Sequence, residues 1–246
     1  MDKSRFRFKS FEVSHSRSSM KIGVDAVLIG AWAGKAKEEP EWLFKGSKIL
    51  DVGTGCGVIS LILAQRFPDS KILGIDIDKN SIEESSENFA NSPWSSRIES
   101  RLISFPDEIL GKGEKFDLIV SNPPYFQSGV NNPSTPREKA RHQASLSVFS
   151  LIENSRLLLS KHGRLSIIFP FEFKDEVKEF ASKKLLFPKR ICLVRDNDKR
   201  PYKRVLMELT EEDGKNPVYQ EELTLFSRGV PTEEYIRLCH DYYLKF

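Results

Sequence analysis

The sequence predicts an α/β fold, a mostly parallel sheet with helices on both faces, and three observations carry that expectation. Short apolar runs rich in β-branched residues alternate with helical stretches from about residue 48 onward, the pattern of βαβ units. A glycine string falls where the first strand gives way to the first helix of that series. FDLIVS (116–121) is an apolar run that reads as a buried strand.

In chain order, MKIGVDAVLIGAWA (20–33) reads as a helix ahead of the sheet, with Asp25 as its N-cap. KILDV (48–52) is the first strand of the series, GVISLILAQRF (57–67) the helix after it, and KILGID (71–76) the second strand. A helix from Asn80 to Asn91 follows, with Ile82, Phe89 and Ala90 as its apolar positions, then a third strand near Ile98–Ile103. Beyond FDLIVS, residues 122–144 form a loop rich in Pro, Asn, Gln and Arg. LSVFSLIENSRLLL is the next helix and GRLSIIF (163–169) a fifth strand. ICLVR (191–195) and RVLMELT (204–210), joined by DNDKRPYK, read as an antiparallel pair at the sheet edge. Pro231 sits near the start of a last helix, whose Tyr235, Leu238 and Tyr242 form a packing stripe.

A chain of 246 residues suits one sizeable α/β domain with embellishments. With 39% hydrophobic and 30% charged residues, the composition argues against a disordered or membrane protein. No apolar run approaches the ~20 residues a bilayer span needs, and the first residues lack the apolar stretch of a secretory leader. A cytoplasmic location without membrane attachment is the expectation. Cys56, Cys192 and Cys239 are too scattered for a disulfide framework, and His15, His142, His162 and His240 show no ligand spacing. No metal is expected.

The net charge of +3 is distributed unevenly. Lys3, Arg5, Arg7, Lys9, Arg17 and Lys21 face only Asp2 and Glu12 in the first 21 residues, and a second basic stretch runs from Lys183 to Arg204. Such runs are often solvated faces. Phe6, Phe8 and Phe11 interleaved with the first one suggest an arm for nucleic acid.

The segment Asp51-Val52-Gly53-Thr54-Gly55-Cys56-Gly57 lies at the carboxyl end of a strand, where open α/β sheets bind ligands. The spacing is GxGxG after an acidic residue, not the GxGxxG that sets a pyrophosphate on a helix N-terminus. S-adenosylmethionine has no pyrophosphate but carries an ammonium group, which makes Asp51 useful. Asp76 ends the second strand about 20 residues later, where a carboxylate accepts ribose hydroxyls; a dinucleotide would want it too.

Asn122-Pro123-Pro124-Tyr125 follows the buried strand and so shares that rim. Proline lacks an N–H, and residues before proline are held extended. The result is a cluster of acceptors, the Asn122 side-chain oxygen and the Pro123 carbonyl. Two acceptors on the hydrogens of an amino or amide nitrogen free its delocalised lone pair and stabilise the positive charge that grows on methylation. Tyr125 would stack on the planar group. In isolation, the same four residues would make an ordinary turn.

DVGTGCG, GID and NPPY together resemble class I methyltransferases acting on planar nitrogens. FRFKSFEVSHSRSSMKIGVDAVLIGAWA, ENFANSPWSSRI, NPPYFQSGVNNPSTPREKARH and the terminal DYYLKF narrow the resemblance to the bacterial tRNA adenine-N6 methyltransferases that modify position 37 of valine tRNA. It spans nearly the whole chain. It implies a Rossmann-like, seven-stranded, mostly parallel sheet with an antiparallel edge strand. It divides the chain into a basic arm and helix (1–34) packing on a catalytic domain (35–246), and it implies a monomer acting on a tRNA anticodon loop. Asn122, Pro123 and Tyr125 are the implied catalytic residues. Lys21, Asp25, Asp51, Gly53, Gly55, Gly57, Asp76, Ile77, Ser104, Phe105 and Asn122 are implied around the cofactor, and Pro124, Tyr125, Arg137, Arg141 and His142 around the substrate. Two departures stand out. Val24 occupies a position where the family usually has Thr, and Ser104-Phe105 stands where many class I enzymes place an acidic residue for the cofactor's adenine. Two other readings remain open at this point, a glutamine-amide protein methyltransferase and a non-catalytic nucleotide-binding module.

Overall fold

The alternating RFRFKSFEVS folds back on itself, so that Arg5–Arg7 (β1) and Glu12–Ser14 (β2) pair antiparallel with Phe6 opposite Val13. The computed structural model describes residues 4–18, 21–34, 44–106, 113–124, 146–212 and 217–246. After the hairpin come Val24–Trp32 (α1), Lys48–Val52 (β3), Val58–Arg66 (α2), Lys71–Asp76 (β4), Lys79–Ala90 (α3), Ile98–Leu102 (β5) and Phe116–Ser121 (β6). Val148–Leu158 (α4), Leu159–Pro170 (β7), Lys174–Lys183 (α5), Phe187–Asn197 (β8) and Arg204–Thr210 (β9) follow. Tyr219–Ser227 (β10), Val230–Pro231 (β11) and Glu233–Cys239 (α6) complete the described elements.

The main sheet runs β11-β10-β8-β9-β7-β6-β3-β4-β5. Strands β5, β4, β3, β6 and β7 are parallel, and β9 lies antiparallel between β7 and β8. The chain moves outward from β3 through β4 to β5, then returns to the other side of β3 as β6. That reversal opens a crevice between the carboxyl ends of β3 and β6, the place where doubly wound sheets take ligands.

The α/β class and parallel order agree with the sequence, whereas the strand number does not. Among the described residues the main sheet has nine strands in place of the seven expected, because β10 pairs in parallel with β8 and β11 closes on β10. The β8–β9 pair is therefore interior on the β8 side. β10 escaped notice because only Leu223 and Leu225 of its nine residues are buried, too few to signal a strand against its polar neighbours.

Side chains of the central strands alternate between two cores, as the period of two requires. Ile49, Ile72, Leu118, Val120 and Leu206 face α1, α2, α3 and α6, while Leu50, Leu73, Ile119, Leu165 and Met207 face α4 and α5. Helix α1 has no basic residue in its last turn. Three arginines from elsewhere cap its carbonyls: Arg66 donates to Gly30 and Ala33 (2.9 and 2.7 Å), Arg190 to Trp32 (2.6 Å) and Arg164 to Gly34 (2.6 Å). Arg164 is itself paired with buried Glu208 at 3.0 Å.

Asp25 is not the N-cap of α1. Gly23 holds that position, and Asp25 lies in the first turn, ion-paired with Arg204 of β9. The aromatic arm is also corrected. Phe8 is 1% exposed and Phe11 7%; Phe8 stacks on Phe11 and Tyr243, and Phe11 meets Trp94 edge-on. Arg5 pairs with Glu12, Arg17 with Glu87, and the Lys9 ammonium donates to the His240 carbonyl. These rings are core, so Phe8→Ala is expected to cost ~3–5 kcal/mol in chemical denaturation. A loss below ~1 kcal/mol would show the hairpin to be a detachable appendage.

Candidate active site

The glycine turn is built by two hydrogen bonds to β4: the N–H groups of Gly53 and Thr54 both donate to the Ile75 carbonyl at 2.9 Å. Gly53, Gly55 and Gly57 all have positive φ (74°, 54° and 86°), conformations that disfavour other residues. At Gly57 a Cβ would collide with the Phe89 ring, so this glycine also lets α2 approach α3. At Gly55 nothing lies within 4 Å of where a Cβ would be, leaving open space against the backbone.

Asp51 is fully buried at the end of β3. Its Oδ2 accepts from Thr54 Oγ1 (2.8 Å), Ser60 Oγ (2.7 Å) and the Ser60 N–H (3.1 Å). Its Oδ1 has no hydrogen-bond partner among the described residues. Burial pushes this carboxyl up to about 6, against the opposing hydrogen bonds of Ser60 and Thr54. A buried carboxylate oxygen with no partner fits a ligand that brings its own cation. Asp76, at the end of β4, accepts from the Gly55 N–H (3.0 Å) and the Asp78 N–H (2.9 Å). Burial raises its carboxyl against those donors.

Around that turn, Ile77 is 57% exposed, and the Ile103 N–H donates to the Asp76 carbonyl at 3.0 Å. The latter bond brings exposed Ser104 and half-buried Phe105 to the same rim. Lys21 is exposed. Val24 is partly buried against the core that contains α1, which accommodates an apolar side chain where the family usually has Thr.

The turn after β6 meets the glycine turn directly. Asp51 stands opposite Val120 in the β3–β6 ladder, and one residue further the Ser121 hydroxyl donates to the Val52 carbonyl at 2.7 Å. The residues immediately before Gly53 and Asn122 are thus joined. Asn122 is half-buried, Pro123 buried and Pro124 half-buried. Tyr125, Arg137, Arg141 and His142 lie outside the described residues. Leu146, where description resumes, returns over Gly53, its Cδ2 3.4 Å from the position of a Cβ there.

Several residues with a part in this arrangement carry no sequence signal of their own. Thr54 and Ser60 hold Asp51, and Ser121 joins the two turns. Glu84 on α3 is fully buried and accepts from the N–H groups of Ser16, Arg17 and Ser18 at 2.7, 3.0 and 2.8 Å. Burial pushes its carboxyl up, but those converging donors outweigh it and hold it below the ordinary range. Asn88, one turn further along α3, exchanges hydrogen bonds with the backbone of Ser14. From Ser14 to Ser18 the chain therefore climbs α3 toward its N-terminus, beside the end of β4.

No helix among the described residues is long and apolar enough to cross a membrane, and no His, Cys, Asp and Glu cluster among them could hold a metal ion. The reversal of strand order, the glycine turn under Asp51 and the Asn-Pro-Pro turn beside it define a class I, Rossmann-like methyltransferase. The Methyltransferase small domain model matches residues 36–177. The chain is 38% identical to a tRNA1(Val) (adenine(37)-N6)-methyltransferase of Parabacteroides distasonis, over 98% of each chain. It is 38% identical to that of Christiangramia forsetii over the full length of both, and 33% identical to that of Vibrio vulnificus over 98% of this chain and 95% of the relative. The chain belongs to the tRNA1(Val) (adenine(37)-N6)-methyltransferase family. Its fold is shared with a crystal structure of a predicted O-methyltransferase from Agrobacterium tumefaciens (TM-score 0.66, 16% identity, 88% of this chain and 96% of that one). It is shared also with Aeropyrum pernix fibrillarin in complex with S-adenosyl-L-methionine (TM-score 0.51, 13% identity, 81% and 89%).

Proposed function

We propose that this chain methylates the exocyclic N6 of adenine 37 in valine tRNA, using S-adenosyl-L-methionine. The observation that carries this reading is the Ser121–Val52 hydrogen bond, which sets the Asn-Pro-Pro turn against the glycine turn at one sheet edge. The cofactor, when bound, supplies an electrophilic methyl group on a sulfonium. Asp51 Oδ1 would accept from its ammonium group, and Asp76 would accept from its ribose hydroxyls. Gly53 and Gly55 would leave room for it against the backbone, and Gly57 would shape the same turn while letting α2 pack on α3. Lys21, Asp25, Ile77, Ser104 and Phe105 would border the same pocket.

The Asn122 side-chain oxygen and the Pro123 carbonyl would accept from the two hydrogens of the adenine amino group. Those contacts orient the nitrogen lone pair and stabilise the positive charge that develops as the methyl arrives. The proton is then released to solvent, and no dedicated base is required. Pro124 and Tyr125 would pack on the base, with Arg137, Arg141 and His142 near the entrance. In this reading residues 1–34 support a catalytic domain of residues 35–246, and the enzyme works as a cytoplasmic monomer. A target beside the anticodon is single-stranded, which lowers the cost of extracting the base for a compact enzyme.

Nucleoside mass spectrometry of tRNA from cells with and without the gene tests the proposal. N6-methyladenosine is expected to vanish from position 37 of valine tRNA in the deletion strain and to return on complementation. An unchanged modification profile would overturn it.

A further inference from the structure

The second basic stretch, from Lys183 to Arg204, is not one surface. Lys183 and Lys184 end α5, and Arg190 is buried with its guanidinium 3.9 Å from the Trp32 ring centroid. Lys199 and Arg200, by contrast, lie exposed in the turn between β8 and β9, at the carboxyl rim. β10 runs parallel to β8 with Phe226 opposite Asn197, and Ser227 Oγ donates to Asp198 at 2.8 Å. The β10–β11 turn, with exposed Arg228, therefore adjoins the β8–β9 turn. None of Lys199, Arg200 and Arg228 has an ion-pair partner among the described residues.

The same rim carries aromatic rings. Half-buried Tyr202 and Phe171 pack with centroids 5.5 Å apart, and Phe171 directly follows β7, the strand next to β6. The nearby Asp196 is already engaged by Lys203 and Arg204. Glu172 lies in the 3-10 turn Phe171–Phe173 just before α5 and Asp175 in the first turn of α5, so the cationic path leads over the β8–β9 turn and away from that helix. Strands β9 and β8 are the second and third from β6. At ~4.8 Å per strand, this turn lies roughly 10–15 Å from Asn122.

We infer that Lys199, Arg200 and Arg228 form a phosphate-binding platform for the RNA flanking the target base, with Tyr202 and Phe171, whose rings also carry Arg195 and Lys174 at 5.4 and 5.7 Å from their centroids, offering their remaining ring surface on the path to Asn122. The inference rests on the RNA-methylating reading above. Unpaired cations release counterions from the RNA backbone and hold its register, while the accessible parts of aromatic rings accept bases regardless of sequence.

The test uses the full chain and an unmodified valine tRNA transcript, with affinity measured at several salt concentrations separately from methyl transfer. K199Q/R200Q/R228Q is expected to weaken tRNA binding at least ~10-fold and to flatten the slope of log affinity against log salt by about 2. The charge-keeping K199R/R200K/R228K should retain the wild-type slope. K48Q/K71Q, which removes exposed charge from the amino ends of β3 and β4, should retain wild-type affinity. Wild-type affinity and slope in the neutral triple variant would overturn the platform, as would an equal loss in K48Q/K71Q. Wild-type protein that binds tRNA through these cations yet transfers no methyl group would instead sink the catalytic reading alone.

Discussion

Asn122→Ala is expected to lower methyl transfer to tRNA by ~10²–10³ in single-turnover measurements while leaving S-adenosylmethionine affinity within a few-fold of wild type. The reason lies in timing. The amino group is neutral in the bound substrate and gains positive charge only as the methyl approaches, so a preorganised acceptor acts chiefly on the transition state. Asn122 follows a strand that is held between β3 and β7 on both sides, and Ser121 is tied to Val52. The variant should therefore keep its fold. Wild-type turnover would remove the acceptor role, and a matching loss of cofactor affinity would make Asn122 a binding residue instead.

Asp51→Asn should weaken S-adenosylmethionine binding by ~10² or more, since it removes one partner of a buried charge pair. It should also raise the stability of the cofactor-free protein at pH 7.5. Burial holds the folded carboxyl at about 6, whereas an unfolded chain's aspartate ionises near 4. Between those values the folded state retains a proton that the unfolded state has released, so this group weakens the fold as pH rises from about 4 to about 6. Above that window the cost is complete, about 3 kcal/mol, and the neutral amide escapes it. Denaturation of wild type and variant should therefore converge below about pH 4. Cofactor affinity of the wild type should fall as pH drops through about 6, where Asp51 takes up its proton. Lower stability of the variant at pH 7.5 together with unchanged cofactor affinity would contradict this account.

The central elements were legible because local pattern and tertiary role coincide in them. KILDV, KILGID and FDLIVS each occupy the residues expected, since strands buried on both faces are apolar at nearly every position. The two turns at the carboxyl rim announce themselves through glycine and proline, whose backbone chemistry is special in any context. Outlying features were less visible. β10 lacks an apolar run, and Phe8 and Phe11 look like an exposed arm until Tyr243 and Trp94, far away in sequence, cover them. Asp25 has the composition of a cap, but Arg204 takes it into an ion pair. Tyr125, Arg137, Arg141 and His142 fall outside the described residues; Tyr125 rests on its place in the Asn-Pro-Pro-Tyr motif, and the other three rest on the resemblance.

Residue order by itself determined the strand series, the acidic glycine turn and the acceptor-bearing turn after β6, because each depends on backbone preferences and apolar periods within a few neighbouring residues. Tertiary structure alone decided which charges are exposed. Arg66, Arg164 and Arg190 became caps for α1, Glu84 became an anchor for residues 16–18, and Lys199, Arg200 and Arg228 were left facing solvent. A long charged side chain has no strong local preference. Its partner is whatever polar group the packing of distant elements leaves without one.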